Sequence, residues 1–425
     1  MKRYKQAALA PSAGSARPVS LIAQHPHYGA AAAFTSGAVR PVIGTSRMPV
    51  PLPDTTDLLP PPQADEVFVT SRAVVTAVQG PRGLTDLQHH VFSAHVVAMT
   101  GVHVNPDYLE PIGPAEFAEA MRYRDEGFRS RMIQTMLLLA LIIDPLPEEI
   151  VDRIHRYAYE LSIDDDMIRV AQEQCRGARR LVGADFTRAG YGGNLGISEP
   201  TGPAAADTNS ELWSEANDPG LVARWAALEH LPASTLGRRM WEFYRARGFQ
   251  YPGSPGSASP YLSQHDWIHV IADYGSTVES EIEVFGLISR ANDNPSGFAL
   301  LAMVLSLFES GSLPEVAIFA QDAGYLTRNA RHMGIRLADA MYRGAIIGAK
   351  FGGHDLMQVD WLSHADRDVY DVRRMLGIPP KSPASIRAGS IGPWVPGGIS
   401  SYQLGSGRTM AESLGIEYTA YGATA

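Results

Sequence analysis

The chain has a single cysteine, Cys175, in 425 residues. That excludes an internal disulfide and any thiolate-rich zinc site, and Cys175, which falls in a helical pattern, reads as inert packing. Lysine is almost as scarce, occurring only at 2, 5, 350 and 381, so nearly all positive charge is arginine. The net charge of −9 removes any electrostatic case for nucleic-acid binding. No apolar run reaches the ~18 residues needed to span a bilayer. The best stretch, 132–143, is interrupted by Gln134 and Thr135 and suits a buried helix. Residues 1–53 lack Asp and Glu altogether. They carry Arg3, Arg17, Arg40 and Arg47 among many Ala and Ser, without the apolar core of a secretory signal. An organelle transit peptide shares that composition. Pro11, Pro18, Pro26 and Pro41 interrupt any long amphipathic helix, however, and a disordered leader of bacterial style is the stronger expectation.

What is present is ordinary for a soluble globular protein: 45% hydrophobic and 19% charged residues. The length favours two domains plus tails. Residues 1–64 are rich in Ala, Pro and Ser, end in Pro60-Pro61-Pro62, and are expected to be disordered. From 65 to 190 the pattern predicts a helical bundle. A valine cluster at 66–78 is read as extended or as a helix start. A helix capped at Thr85 or Asp86 runs to Gly101, another runs from Pro114 to Phe128, and an apolar helix covers 129–143. A helix led by Pro147 follows, and a last one is capped by Asp164-Asp165-Asp166. His89, His90 and His95 lack the four-residue spacing of a helical ligand pair and read as surface and core residues. Residues 191–208 form a linker, and Gly190 to Gly196 at its start lacks the glycine spacing of a dinucleotide loop. Residues 209–380 form a second helical domain, with one long helix over 316–351 broken near Gly334. Residues 381–425 are a Pro- and Gly-rich irregular tail, with Trp394 and Tyr402 available to pack on the body. His332 and His364 are expected to be exposed. The predicted class is all-α, with two helical domains.

The second domain holds the chemistry. In Gln264-His265-Asp266-Trp267-Ile268-His269 the two histidines are four apart, one turn of a helix, so both imidazoles share a face. Asp266 adds a hard oxygen beside them. Glu281 lies twelve residues on and would sit about 18 Å away along a straight helix. The chain must therefore turn back, and Asp273-Tyr274-Gly275-Ser276 supplies the turn residues, with Ser276 and Glu279 read as a capping box for the next helix. His265, Asp266, His269 and Glu281 then form a ligand set for zinc or another divalent first-row metal.

The pattern His265-Asp266-x-x-His269-x11-Glu281 resembles the signature of the coenzyme Q protein four family of ubiquinone biosynthesis. Leu231-Pro232-Ala233-Ser234-Thr235-Leu236-Gly237 upstream is similar to that family's Leu-Pro-x-x-Thr-Leu-Gly segment. Arg343-Gly344, Val359-Asp360-Trp361 and Asp371-Val372-Arg373-Arg374-Met375-Leu376-Gly377-Ile378 resemble its closing segments, so the likeness covers about 206–380. Three positions depart from it: Asp273 and Ser280 stand where the family has glycine, and Leu362 follows Trp361 in place of Glu. The resemblance implies a zinc-type site and a polyprenylated aromatic quinone precursor that loses its ring carboxyl with hydroxylation. His265 and Asp266 would act at the reacting centre. It further implies a prenyl tail held among helices, with Met303, Leu305, Leu307 and Phe308 as candidate lining, and a homo-oligomer or a place in a biosynthetic complex. Peripheral attachment to the inner membrane from the cytoplasm is expected, with the mitochondrial matrix face as the alternative. A non-catalytic prenyl-lipid-binding or scaffold protein with a structural metal remains the other reading. For 66–190, the apolar helix 132–143, the turn at Asp144, Pro147-Glu148-Glu149 and Leu161-Ser162-Ile163 resemble the TerB-like helical fold.

Overall fold

Side-chain caps set most of the α-helix starts. The computed structural model describes residues 61–143, 145–164, 213–214, 217–255, 257–258, 260, 263–293, 298, 301–302, 304–305 and 329–420, all within one compact unit. The valine cluster forms a helix, α1 (Glu66–Val78), because its buried positions Val67, Ser71, Val74 and Val78 repeat with helical rather than strand period. In α2 (Asp86–Thr100), Thr85 Oγ1 accepts the Gln88 N–H at 3.2 Å while Gln88 Oε1 accepts the Thr85 N–H at 2.9 Å, a reciprocal cap. Gly101, in the left-handed region, ends it. The boundary expected between helices 114–128 and 129–143 falls earlier: α3 (Pro114–Ala120) ends well short of Phe128, and α4 (Glu126–Leu141) starts before it. They are split by Asp125, whose carboxylate accepts the Phe128 N–H at 2.8 Å and starts a new helix. The last of this group is α5 (Glu148–Leu161). The expected helix beyond Asp164, Cys175 and the 190–208 stretch lie outside the described residues.

The second group comprises α6 (Pro219–Ala226), α7 (Leu236–Arg247), α8 (Gln264–Ala272), α9 (Val278–Ala291), α10 (Ala330–Phe351) and α11 (Val369–Leu376). Between α9 and α10, Phe298, Leu301 and Leu305 are helical and buried, while Met303, Leu307 and Phe308 fall outside the description. Two-residue strands β1 (Trp213–Ser214) and β2 (Ser257–Ala258) pair antiparallel, and otherwise the described residues are helix and loop, as an all-α chain requires. No helix of the described residues is long and apolar enough to cross a membrane.

The core is organised around α10, which packs extensively on both α9 and α2. It is continuous over 22 residues and unbroken at Gly334. Glycine serves close approach there: a Cβ on Gly334 would stand 2.6 Å from His90 Cβ on α2. Gly344 plays the same part against the Leu287 carbonyl of α9. His95, buried between α2 and α4, is a core histidine, pushed down to about 3 by burial and by nearby Arg290 and Arg131. His364, expected at the surface, is 4% exposed, because the short helical turn 361–364 carries it under α7 with Trp361. The Pro- and Gly-rich stretch from 381, over its described part 381–420, is only partly irregular. It contains α12 (Pro383–Arg387) and α13 (Ser401–Ser413), and α13 packs along α7. Trp394 meets Phe243 edge-on at 6.4 Å.

Gly344→Val should therefore lower stability by about 1–3 kcal/mol through overpacking of α9 against α10. Urea denaturation of the variant checks this; an unchanged midpoint would contradict the close-approach role.

Candidate metal centre

α8 and α9 are joined by a tight reversal, and this reversal builds the site. α8 ends at Asp273, a non-glycine residue in the left-handed region at φ 63°. That is the first position where the resembled family has glycine, and the conformation accounts for it: glycine suits the left-handed region best, and aspartate tolerates it. The cap of α9 is Thr277, which accepts the Ser280 N–H at 3.4 Å, one residue later than the expected Ser276. Ser276 is occupied elsewhere, accepting a hydrogen bond from Arg247.

The C-terminal carbonyls of α8, on buried residues and without helical partners, are met by cations. Arg373 Nε and an Nη donate to Ile271 O and Val270 O at 2.8 and 2.9 Å, and Arg343 donates to Ala272 O at 2.8 Å. Lys381 donates to Asp273 O at 2.5 Å and pairs with the Asp273 carboxylate at 3.2 Å. Positive charge at this end complements the helix dipole and satisfies carbonyls without intrahelical partners. Arg343 and Arg373 come from the closing segments of the resemblance, which gives those segments a physical task. The upstream segment has one too: Leu236 and Gly237 donate their N–H groups to Arg367 O and Ala365 O at 2.7 and 2.8 Å, anchoring α7 beneath the site.

The reversal brings together all four residues singled out in the sequence. One ligand atom from each of His265, Asp266 and His269 lies within 4.8 Å of the others. Glu281 faces them across the turn, its carboxylate 3.5 Å from His265 Nε2 and 3.2 Å from His269 Nε2. His265 Nε2 lies 3.4 Å from Asp266 Oδ1. Exposure is 7% for His265, 6% for Asp266, 2% for Glu281 and 0% for His269, so all four are buried and His269 most completely.

Groups that the sequence did not point to orient these four. His269 Nδ1 lies 2.6 Å from Gly275 O. A carbonyl only accepts, so Nδ1 carries the hydrogen and Nε2 of a neutral ring presents its lone pair to the Glu281 oxygens. Tyr244 donates to Asp266 Oδ2 at 2.6 Å. Phe285 stacks on His265 at 5.1 Å and Phe243 lies tilted against His269 at 5.4 Å. Arg247, fully buried, has its guanidinium carbon 3.6 Å from the centre of the Phe243 ring. Its burial pushes it down to about 9, against the pull of Asp266 and Glu281. Tyr244 and Arg247 share a face of α7, but nothing in their spacing marks a site.

The electrostatics divide the carboxyls. Burial raises Asp266, with the imidazoles and Tyr244 opposing it. Burial also pushes Glu281 upward, but the two imidazoles outweigh it and hold that carboxyl at about 2. An imidazole lone pair facing a carboxylate at 3.2 Å is repulsive unless a positive charge lies between them: a proton on the ring, or a metal cation. The donor set, two imidazoles and two carboxylates with one imidazole locked by a carbonyl, suits zinc or a similar divalent ion.

The fold and the cluster define an all-helical protein with a buried His–Asp–His–Glu group of metal-ligating type. No family model matches the chain, and no curated protein matches it. Among solved structures, the chain matches a candidate ubiquinone biosynthesis protein from Nostoc punctiforme at 18% identity, with a TM-score of 0.26. The match covers 60% of this chain and 98% of that one. The functional reading accordingly rests on the residues themselves.

Tyr244→Phe would strip a buried carboxylate of its donor. It should cost about 1–3 kcal/mol of stability and raise the Asp266 carboxyl further, measurable by denaturation and by carbon-detected titration of the Asp266 side chain.

Proposed function

We propose that His265, Asp266, His269 and Glu281 hold one divalent metal of zinc type, and that the protein acts on the ring of a polyprenylated aromatic, a quinone precursor. The observation that supports this reading is the set of imidazole nitrogens and carboxylate oxygens facing one another at 3.2–3.5 Å in a buried cluster, a set that a divalent cation would bridge. The substrate class comes from the ordered resemblance of the residues of 206–380 to the coenzyme Q protein four family. A bound divalent ion supplies a Lewis acid that polarises a ring carboxyl or phenol oxygen. The chain's own residues do the rest. His269 is held in one tautomer by Gly275, and Tyr244 fixes the Asp266 carboxylate. His265 and Asp266, the less deeply buried pair, would face an incoming ring, while Phe243 and Phe285 keep water away from the imidazoles. Attachment of the substrate's prenyl tail would place the protein at a membrane surface, as a homo-oligomer or within a biosynthetic complex.

A second reading has an observation in its favour. Four protein donors from two helices, nearly all buried, also describe a closed structural site, in which the metal would tie α8 to α9 in a lipid-binding scaffold. Metal analysis of wild type and His269→Ala, combined with thermal melting, separates the two. The enzyme reading expects about one metal per chain in wild type, little in the variant, a fold that survives metal loss, and prenylated aromatics among co-purifying lipids by mass spectrometry. Collapse of the fold on metal removal, with no such lipid, would instead establish the scaffold. Wild type without metal under either condition would refute both.

Ligand atoms must be unprotonated to bind metal, and imidazole takes up a proton near pH ~6.5. Metal affinity should therefore fall steeply below about pH 6, which competition with a chromophoric chelator across pH will reveal.

A further inference from the structure

The geometry points to the C-terminal segment 391–403 as a positioning layer of the metal centre, acting through Gln403, Ser276 and the Gly275 turn. This inference rests on the metal reading of the site. The segment follows the region of family resemblance, and by composition it reads as a tail.

The contacts form a continuous path. Gly275, whose carbonyl fixes His269 Nδ1, donates its own N–H to Ile391 O at 2.9 Å. Ser276 N–H donates to Gly398 O at 2.8 Å. The turn that sets the tautomer of a ligand histidine is thus clamped by two backbone bonds from the C-terminal segment. Ser276 Oγ is a hub: it accepts from Arg247 Nε at 2.6 Å and donates to Gln403 Oε1 at 2.6 Å. Gln403 Oε1 also accepts the Ser400 N–H at 3.3 Å, so one buried side chain ties the cap of α13 to the site turn. Arg247 completes the clamp by donating to Pro393 O and Gly398 O, both at 3.3 Å. The approach leaves no room for a side chain: a Cβ on Gly275 would stand 2.7 Å from Gly398 O.

This arrangement exceeds what helix packing needs. A buried guanidinium with its charge balanced only at longer range by Asp266 and Glu281 costs folding energy, and a hydroxyl hub flanked by a buried amide is a poor substitute for apolar packing. Both features are explained if their task is to hold the Gly275 carbonyl at His269. Groups that orient a metal-binding histidine typically affect metal affinity by ~10–100-fold when removed.

The test uses the full chain and cobalt(II) as the probe. In Gln403→Leu, and in the smaller change Ser276→Ala, cobalt(II) should bind about 10-fold more weakly or worse with an altered visible spectrum. In the metal-free proteins the His269 ring nitrogen-15 shifts should move away from the wild-type tautomer pattern. Gln403→Glu keeps the acceptor oxygen for Ser276 and Ser400 and should restore both readouts. Wild-type cobalt affinity and wild-type nitrogen shifts in a folded Ser276→Ala or Gln403→Leu would overturn the inference. So would defects that Gln403→Glu fails to restore. A wild-type protein that binds no cobalt would instead overturn the metal function, while the nitrogen shifts of the metal-free proteins would still decide the positioning role.

Discussion

The site depends on one hydrogen bond, from His269 Nδ1–H to the Gly275 carbonyl at 2.6 Å. It spans only six residues, yet it fixes three things together. It closes the reversal between α8 and α9, which brings Glu281 back over a distance that a straight helix would never recover. It decides which imidazole nitrogen faces the carboxylates. It also points the lone pair of a neutral ring at the Glu281 carboxylate, 3.2 Å away. Remove the bond and the ring can rotate or change tautomer, and the juxtaposition with Glu281 loses its chemical meaning.

The surroundings are arranged to sustain this strained local electrostatics. Three cations gather at the end of α8, where carbonyls without helical partners would otherwise be buried. Arg247 lies over the Phe243 ring, close enough to feel Asp266 and Glu281 but with no hydrogen bond to either. Tyr244 supports Asp266 from α7, and α7 is itself seated by Leu236 and Gly237 on the chain at 365–367. Elements far apart in sequence therefore converge on nine residues of helix. The small-residue contacts of α10 let α2 and α9 approach the same helix closely, giving this polar group a stiff apolar frame.

Much of this was legible beforehand, for reasons that differ by residue. His265 and His269 were visible because helical spacing alone puts them on one face. Glu281 was inferable because Asp273 to Ser276 is a turn by composition, although the cap fell on Thr277 rather than Ser276. Helix boundaries at Thr85 and Gly101 could be read from capping chemistry, whereas the break at Asp125 was hidden by the continuous apolar pattern around it. Gly334 misled because glycine in a helix signals weakness when viewed alone. Its purpose, close contact with His90, exists only once α2 lies beside it. His364 misled in the same way, since a polar residue in a loop carries no mark of the helix that will cover it.

Local pattern by itself determined the all-helical class and the two-histidine face, because caps, turns and helical period act over a few residues. It also supplied the return of the acidic residue, through a short turn of the same range. The tertiary structure alone decided that Tyr244, Arg247, Arg373 and Lys381 serve the site, and that the stretch resembling a loose tail is built into it. Those partners are joined by contacts between residues from about 20 to more than 120 positions apart. Hydrogen bonds of that reach leave no periodic trace in a sequence, because what they require is a position in space rather than a spacing along the chain.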